Sequence, residues 1–218
     1  MRQEVERCSK AVELAGEGKR VAVICSGDPG IYAMAGLVFE LLRGQEGKGA
    51  RGQGNKTGDV SNPRALKSLN PSVEVIPGIP ALSASAARLG APLMHDFASV
   101  SLSDLLTPWE VIEKRLEAAA SADFVIVIYN PRSKGRQEHI RKARDIILKS
   151  RSGDTPVGIV RSATRENESI TITDLEHMPD HEIDMQSTVI IGNSQTVVWR
   201  DRMVTPRGYS SKYNIAPE

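Results

Sequence analysis

An α/β fold with a mainly parallel sheet, arranged as two lobes, is what this sequence predicts. Three observations predict it. Short apolar runs recur along the chain, among them VAVICS at 21–26, VEVIP at 73–77 and FVIVIYN at 124–130. Stretches with helical spacing separate them, and turn clusters such as SGDPG and PGIP close several of the runs. Apolar runs of this length suit strands buried on both faces, and alternation with helices suits parallel βαβ units.

Taken in order, the first helix is expected over 4–15, followed by a strand over 21–26. After SGDPG, a helix should bury Ile31, Met34, Ala35, Val38, Leu41 and Leu42, which fall on one stripe. The stretch 43–70 is rich in Gly, Lys, Asn and Gln and reads as a flexible insertion. A strand at 73–77 leads into a small-residue helix that stops at Gly90, and FASVSLSDLL at 97–106 is a third apolar segment with a turn. Thr107, Pro108 and Glu110 have the spacing of a helix cap, first-turn proline and capping box. A buried strand, a helix over 139–150, three more strands and a closing hairpin complete the chain. The late strands, with only turns between them, suggest antiparallel additions. A boundary at 92–97 gives an N-terminal lobe of 1–93 and a C-terminal lobe of 98–218.

Composition narrows the function classes. The 218 residues are 40% hydrophobic and 25% charged, with a net charge of +1, which argues against a general nucleic-acid binder. Two cysteines suggest neither a disulfide framework nor an iron–sulfur cluster. No apolar run approaches the ~20 residues of a membrane span. The charged N-terminal segment is unlike a signal peptide, so the cytoplasm is the expected compartment.

Ligands of open α/β sheets gather at the carboxyl ends of strands, which directs attention to SGDPG, IPGIPA, VSLSD, YNPRSKG and VRSATRE. The first lacks the lysine of a phosphate-binding loop and the three glycines of a dinucleotide fingerprint. Asp28 there would repel a phosphate, while Gly27 and Gly30 permit close backbone approach. Asp28 is also well placed to cap the helix that follows. A phosphate-free ligand with amide, hydroxyl or cationic groups fits this loop, and S-adenosylmethionine is such a ligand. Asp104 is an acid that no cap explains, and His95 and Asp96 sit together in the preceding loop, so these three are the candidates for acid–base work. Their spacing matches no metal motif, and no metal site is expected. Arg132, Lys134 and Arg136 after one strand, and Arg161 and Arg165 after another, are candidate clamps for a polyanionic small molecule.

The stretches SGDPGIYAMAGLVFELL, VIPGIPALSASAARLGAPLMHDF, SLSDLLTPWEVIEKRL, ADFVIVIYNPRSKGR and TVIIGNSQT, with MVTPRGY, together resemble the precorrin-3B C17-methyltransferase family of cobalamin biosynthesis, which belongs to the tetrapyrrole methylases. That resemblance implies the two-lobed fold of class III S-adenosylmethionine-dependent methyltransferases, an active-site cleft between the lobes and a homodimer. It implies cofactor contacts at Gly27, Asp28, Ile31, Ser101, Leu102, Tyr129, Asn130, Ala163 and Thr164, and tetrapyrrole contacts at Arg132, Lys134 and Arg161. The implied reaction adds a methyl group to C17 of precorrin-3B, or of its cobalt-bound equivalent, and contracts the ring. Asp104 ranks first as the base for contraction, ahead of His95 and Asp96. Family members begin with a further strand and Gly-rich loop that this sequence lacks, so the chain is expected to be inactive as it stands. Two readings compete: a tetrapyrrole methylase acting at another ring position, and a remnant that binds tetrapyrrole without turnover.

Overall fold

The computed structural model describes residues 3–51 and 71–213 and divides into two compact units, Met1–Pro80 and Ala81–Glu218.

In the first unit, helix α1 (Glu4–Gly16) opens with Glu4 and Glu6, whose charges suit the positive end of the helix. It stops at Gly18, which takes φ +85; the Gly18 N–H donates to Ala15 O and the Lys19 N–H to Leu14 O, closing a Schellman motif. Cys8 and Val12 are buried on α1, and Leu42 on helix α2 (Ala35–Arg51), which packs against it. Burial raises the Cys8 thiol above its ordinary pKa. Two expectations change here. Helix α2 begins at Ala35, after a bend in which Tyr32 takes φ +52, so Asp28 does not cap it. Its backbone stays helical to Arg51, because Gln, Glu, Lys and Ala extend an established helix past the glycines. The rest of the expected insertion, 52–70, lies outside the described residues.

VAVICS and VEVIP are not strands. Neither makes a backbone–backbone hydrogen bond to another described segment. Ile24, Ile76 and Ile79 are more than two-thirds exposed. An apolar run records a preference for being paired and covered; it does not supply the partner.

The second unit holds helix α3 (Ala81–Leu89), strand β1 (Gly90–Ala91), strand β2 (Phe97–Ser101), helix α4 (Trp109–Ser121) and strand β3 (Val125–Tyr129). Helix α5 (His139–Leu148) and strands β4 (Pro156–Arg161), β5 (Ser169–Asp174) and β6 (Ser187–Ile191) follow. The hairpin β7 (Val197–Trp199) and β8 (Arg202–Val204) and a short α6 (Tyr209–Lys212) close it. The main sheet has the order β2-β3-β6-β4-β5. Only β2 and β3 pair in parallel; β6 runs antiparallel to both β3 and β4, and β5 antiparallel to β4. The sheet is therefore mixed rather than mainly parallel. The turn between β4 and β5 carries no helix, so it can only reverse the chain. Even so, β2, β3 and β4 share one direction, and their carboxyl ends reach the same edge.

Every residue of VIVI in β3 is buried, because both faces of the sheet are covered. On one face Ile126, Ile128, Ile159 and Val189 pack with Ile112 and Leu116 of α4 and Ile140 and Ile147 of α5. On the other face α3 lies so close that a Cβ on Gly158 would stand 2.3 Å from Leu89 Cδ1. The capping box expected for α4 does not form. Pro108 occupies the cap position, and it has neither a side-chain oxygen for the first-turn N–H groups nor an N–H for Glu110 to accept.

Candidate active site

The carboxyl edge of the main sheet brings together most of the residues singled out in the sequence. Where β2 ends, the Leu102 N–H donates to Tyr129 O of β3, and Ser101 Oγ accepts from Asn130 Nδ2 at 2.9 Å and from the Ser103 N–H at 3.2 Å. Tyr129 closes β3, and its hydroxyl accepts the Leu82 N–H at the start of α3. Ser101, Leu102, Tyr129 and Asn130 thus form one bonded group, with Arg132 half-buried and Lys134 exposed on the loop beyond.

Strand β4 delivers Arg161, Ser162, Ala163 and Thr164 two strand positions away from β3, roughly 10 Å across the sheet. The Ser162 N–H and hydroxyl both bond Gln186, and the Thr164 N–H donates to Glu168 Oε2 at 2.6 Å. Glu168 also pairs with Arg88, and these bonds, led by that from Thr164, hold its carboxyl below the ordinary range. Asn130, Ser162 and Thr164 all have positive φ, at 50, 50 and 63 degrees. Such left-handed conformations cost non-glycine residues about 1 kcal/mol or more each, and here three of them sit at the tips of two strands that run in the same direction on either side of β6. Arg161 is already committed: its Nε bonds Asp184 at 2.7 Å, which raises its pKa further.

Asp104 lies just beyond β2. His139 Nε2, at the start of α5, is 3.1 Å from Asp104 Oδ2, and Arg136 Nε is 3.8 Å from Oδ1. Arg136 also donates to Leu102 O, and the His139 ring meets Trp109 edge to face at 4.7 Å between centroids. Loss of surrounding water works against the Asp104 charge. The His139 hydrogen bond, the residue's own N–H and the neighbouring charges outweigh that effect and hold the carboxyl below its ordinary range. Sequence reading passed over His139 as a partner, because the 35 positions between it and Asp104 leave no local signal.

His95 and Asp96 do not join this group. They precede β2, so its five residues, about 17 Å of strand, separate them from Asp104. His95 Nδ1 accepts the Asp96 N–H, and the Asp96 side chain is exposed. A polar recess of about 400 Å³ at the amino end of β4 also stands apart; its Asp123, Asn193, Ser194 and Thr196 side chains are bonded among themselves. Among the described residues no cluster of three or more His, Cys, Asp or Glu is arranged to hold a metal.

Gly27, Asp28 and Ile31 belong to the first unit. There the Asp28 carboxylate accepts the Gly30 N–H at 2.8 Å and the Gly78 N–H at 3.0 Å, tying SGDPG to IPGIP. The bond from Gly78, then that from Gly30, lowers its pKa. This is why an acid occupies the loop: it binds two backbone donors that a lysine would repel. A Cβ on Gly78 would stand 2.1 Å from Gly27 O, so the bridge requires glycine there. Gly78→Ala is expected to break this bridge and lower stability by about 1–3 kcal/mol. Denaturant unfolding checks this, and an unchanged midpoint would show that the loop tolerates a side chain there.

Residues 63–179 match the family model described as Tetrapyrrole (Corrin/Porphyrin) Methylases. The chain belongs to the tetrapyrrole methylases. This methylase is 50% identical over 215 residues to the cobalt-factor III methyltransferase of Priestia megaterium, covering 99% of this chain and 36% of that protein. It is 50% identical over 210 residues to a probable cobalt-factor III C(17)-methyltransferase of Salmonella typhimurium, covering 96% of this chain and 78% of that protein. The crystal structure of the methyltransferase CobJ superposes with a TM-score of 0.79 at 34% identity, over 94% of this chain and 77% of that one. The methylase therefore spans about a third of one relative's length and over three quarters of the other's. The family model and the CobJ superposition support the class III methyltransferase fold. Among the described residues no helix is long and apolar enough to cross a membrane.

Proposed function

We propose that this tetrapyrrole methylase transfers a methyl group from S-adenosylmethionine to C17 of cobalt-factor III, or of its metal-free counterpart precorrin-3B, with contraction of the macrocycle. The observation that carries this reading is the 50% identity, over 96% of the chain, to a relative named for C17 methylation of the cobalt-bound substrate. That name favours the cobalt form.

The residues present suit such a methyl donor. The sulfonium supplies an already activated methyl group, so the protein's task is alignment of donor and carbon nucleophile. The proposed donor contacts at the strand tips are Ser101, Leu102, Tyr129 and Asn130 on one side, and Ala163 and Thr164 on the other. Gly27, Asp28 and Ile31 are the proposed contacts in the first unit, where the Asp28 charge disfavours a phosphate-bearing cofactor. Arg132 and Lys134 make no ion pair among the described residues and are the proposed partners of the substrate carboxylates. Arg161, bound to Asp184, would hold a carboxylate only by sharing its charge.

Contraction expels C20 from the ring and is helped by a placed base. Asp104, oriented by His139 and Arg136, is the proposed base; His95 and Asp96, at the other end of β2, are not assigned to this step. We propose that the methylase works in the cytoplasm with its lobes at 1–93 and 98–218, as the sequence suggests, and as a homodimer, as the resemblance implies. Incubation with S-adenosylmethionine and cobalt-factor III, followed by mass spectrometry, tests the function. A gain of one methyl group with a shifted visible spectrum is expected. Binding without any mass gain would favour a non-catalytic tetrapyrrole binder, and a methyl group at another carbon would favour a different ring position.

A further inference from the structure

Two consecutive leucines follow Asp104, and they are among the most exposed large apolar side chains described. Leu105 is 80% exposed and Leu106 97%, whereas Leu102, three residues earlier, is completely buried. The loop that carries them is held on its inner side. Leu102 N–H is bonded to Tyr129, Leu102 O to Arg136, and Asp104 to His139 and Arg136. Pro108 then fixes the entry into α4. A free loop could fold its leucines inward; this one presents them outward from an anchored base. Two adjacent leucines held outward on an anchored loop offer apolar surface to a ligand.

The loop after β3 lies beside it, because β2 and β3 are neighbouring parallel strands. That loop supplies Arg132 and Lys134, which make no ion pair among the described residues. Apolar surface bordered by unpaired cations is complementary to a flat, apolar-faced ring with a rim of carboxylates.

We infer that Leu105 and Leu106 form the apolar seat for one face of the macrocycle, while Arg132 and Lys134 take carboxylates on its rim. This rests on the proposed methylase reading and adds the side chains that select the ring itself. A second copy of the chain covering the same leucines is the alternative that the test must exclude.

The test compares the full chain with the double variant Leu105→Ser/Leu106→Ser. Cobalt-factor III is titrated by visible absorbance, S-adenosylmethionine by calorimetry, and mass is read by sedimentation. A rise of about tenfold or more in the macrocycle Kd is expected, with donor affinity, melting temperature and sedimentation unchanged. Arg132→Gln should weaken binding of the free-acid pigment and leave its methyl ester unaffected. Equal macrocycle binding by wild type and double variant overturns the inference and spares the methylase reading. A change from dimer to monomer in the double variant also overturns it, by assigning the leucines to an interface between copies. Failure of the wild type to bind the macrocycle overturns both.

Discussion

Asp104→Asn is expected to lower turnover by about 10²–10⁴-fold, the usual span for loss of a positioned acid–base group. The amide retains the carboxylate's shape and one oxygen for His139, so the loop beyond β2 should keep its position. Donor affinity, measured by calorimetry, should stay within about twofold, because the proposed donor contacts lie elsewhere. The pH dependence supplies a second readout. The Asp104 carboxyl is held below the ordinary carboxylate range, so it remains charged to lower pH than a free aspartate. What its charge contributes is present above the ordinary value of about 3.9 and is lost only as pH falls through the lowered one. Above about pH 5 the wild-type kcat/KM profile should therefore show no inflection from this group. Wild-type turnover in the Asn variant would remove Asp104 from the chemistry.

Arg151→Met should have the largest effect on stability. The Arg151 side chain is 3% exposed and donates to the carbonyls of Ala119, Phe124 and Gly192, joining the end of α4, the start of β3 and the end of β6. Burial lowers its pKa, and the Asp123 carboxylate, 4.0 Å away, works in the opposite direction. Methionine fills much of the same volume but removes the guanidinium donor from three carbonyls, of which Ala119 O still accepts the Phe124 N–H. At about 1–3 kcal/mol for an unsatisfied buried group, partly relieved by entering water, a net loss of about 3 kcal/mol is expected. Denaturant unfolding followed by circular dichroism measures it. A loss below about 0.5 kcal/mol, the size of an ordinary surface substitution, would show that Arg151 is not a clamp.

Local pattern carried much of the second unit. The apolar runs at 125–129, 156–161 and 187–191 are strands because their β-branched residues find cover on both faces, and Gly158 opens space for Leu89. The same kind of pattern misled at 21–26 and 73–77, where no described segment pairs with the chain. Strand direction was also poorly legible. An apolar run reads alike in either direction; the turn-linked late strands pointed to antiparallel additions, and the pairings of β4, β5 and β6 show how far these make the sheet mixed. In the candidate site, turn chemistry pointed to the strand tips. It could not show that Asp28 serves Gly78, that His139 and Arg136 serve Asp104, or that Glu168 serves Thr164 and Arg88. Most of these bonds join residues tens of positions apart, and no periodicity encodes them. His95 beside Asp96 looked suggestive as a dipeptide, yet an intervening strand puts the pair at the far end of the sheet from Asp104.

Strand β6 supplies none of the proposed ligand contacts, yet it fixes the gauge of the seat. By lying between β3 and β4, it holds the Asn130 and Ser162 tips two ladder steps apart instead of one. Under the proposed reading this spacing suits a long, folded donor without lengthening any loop, and a sequence change inside β6 would be felt as misfit at a ligand it never meets.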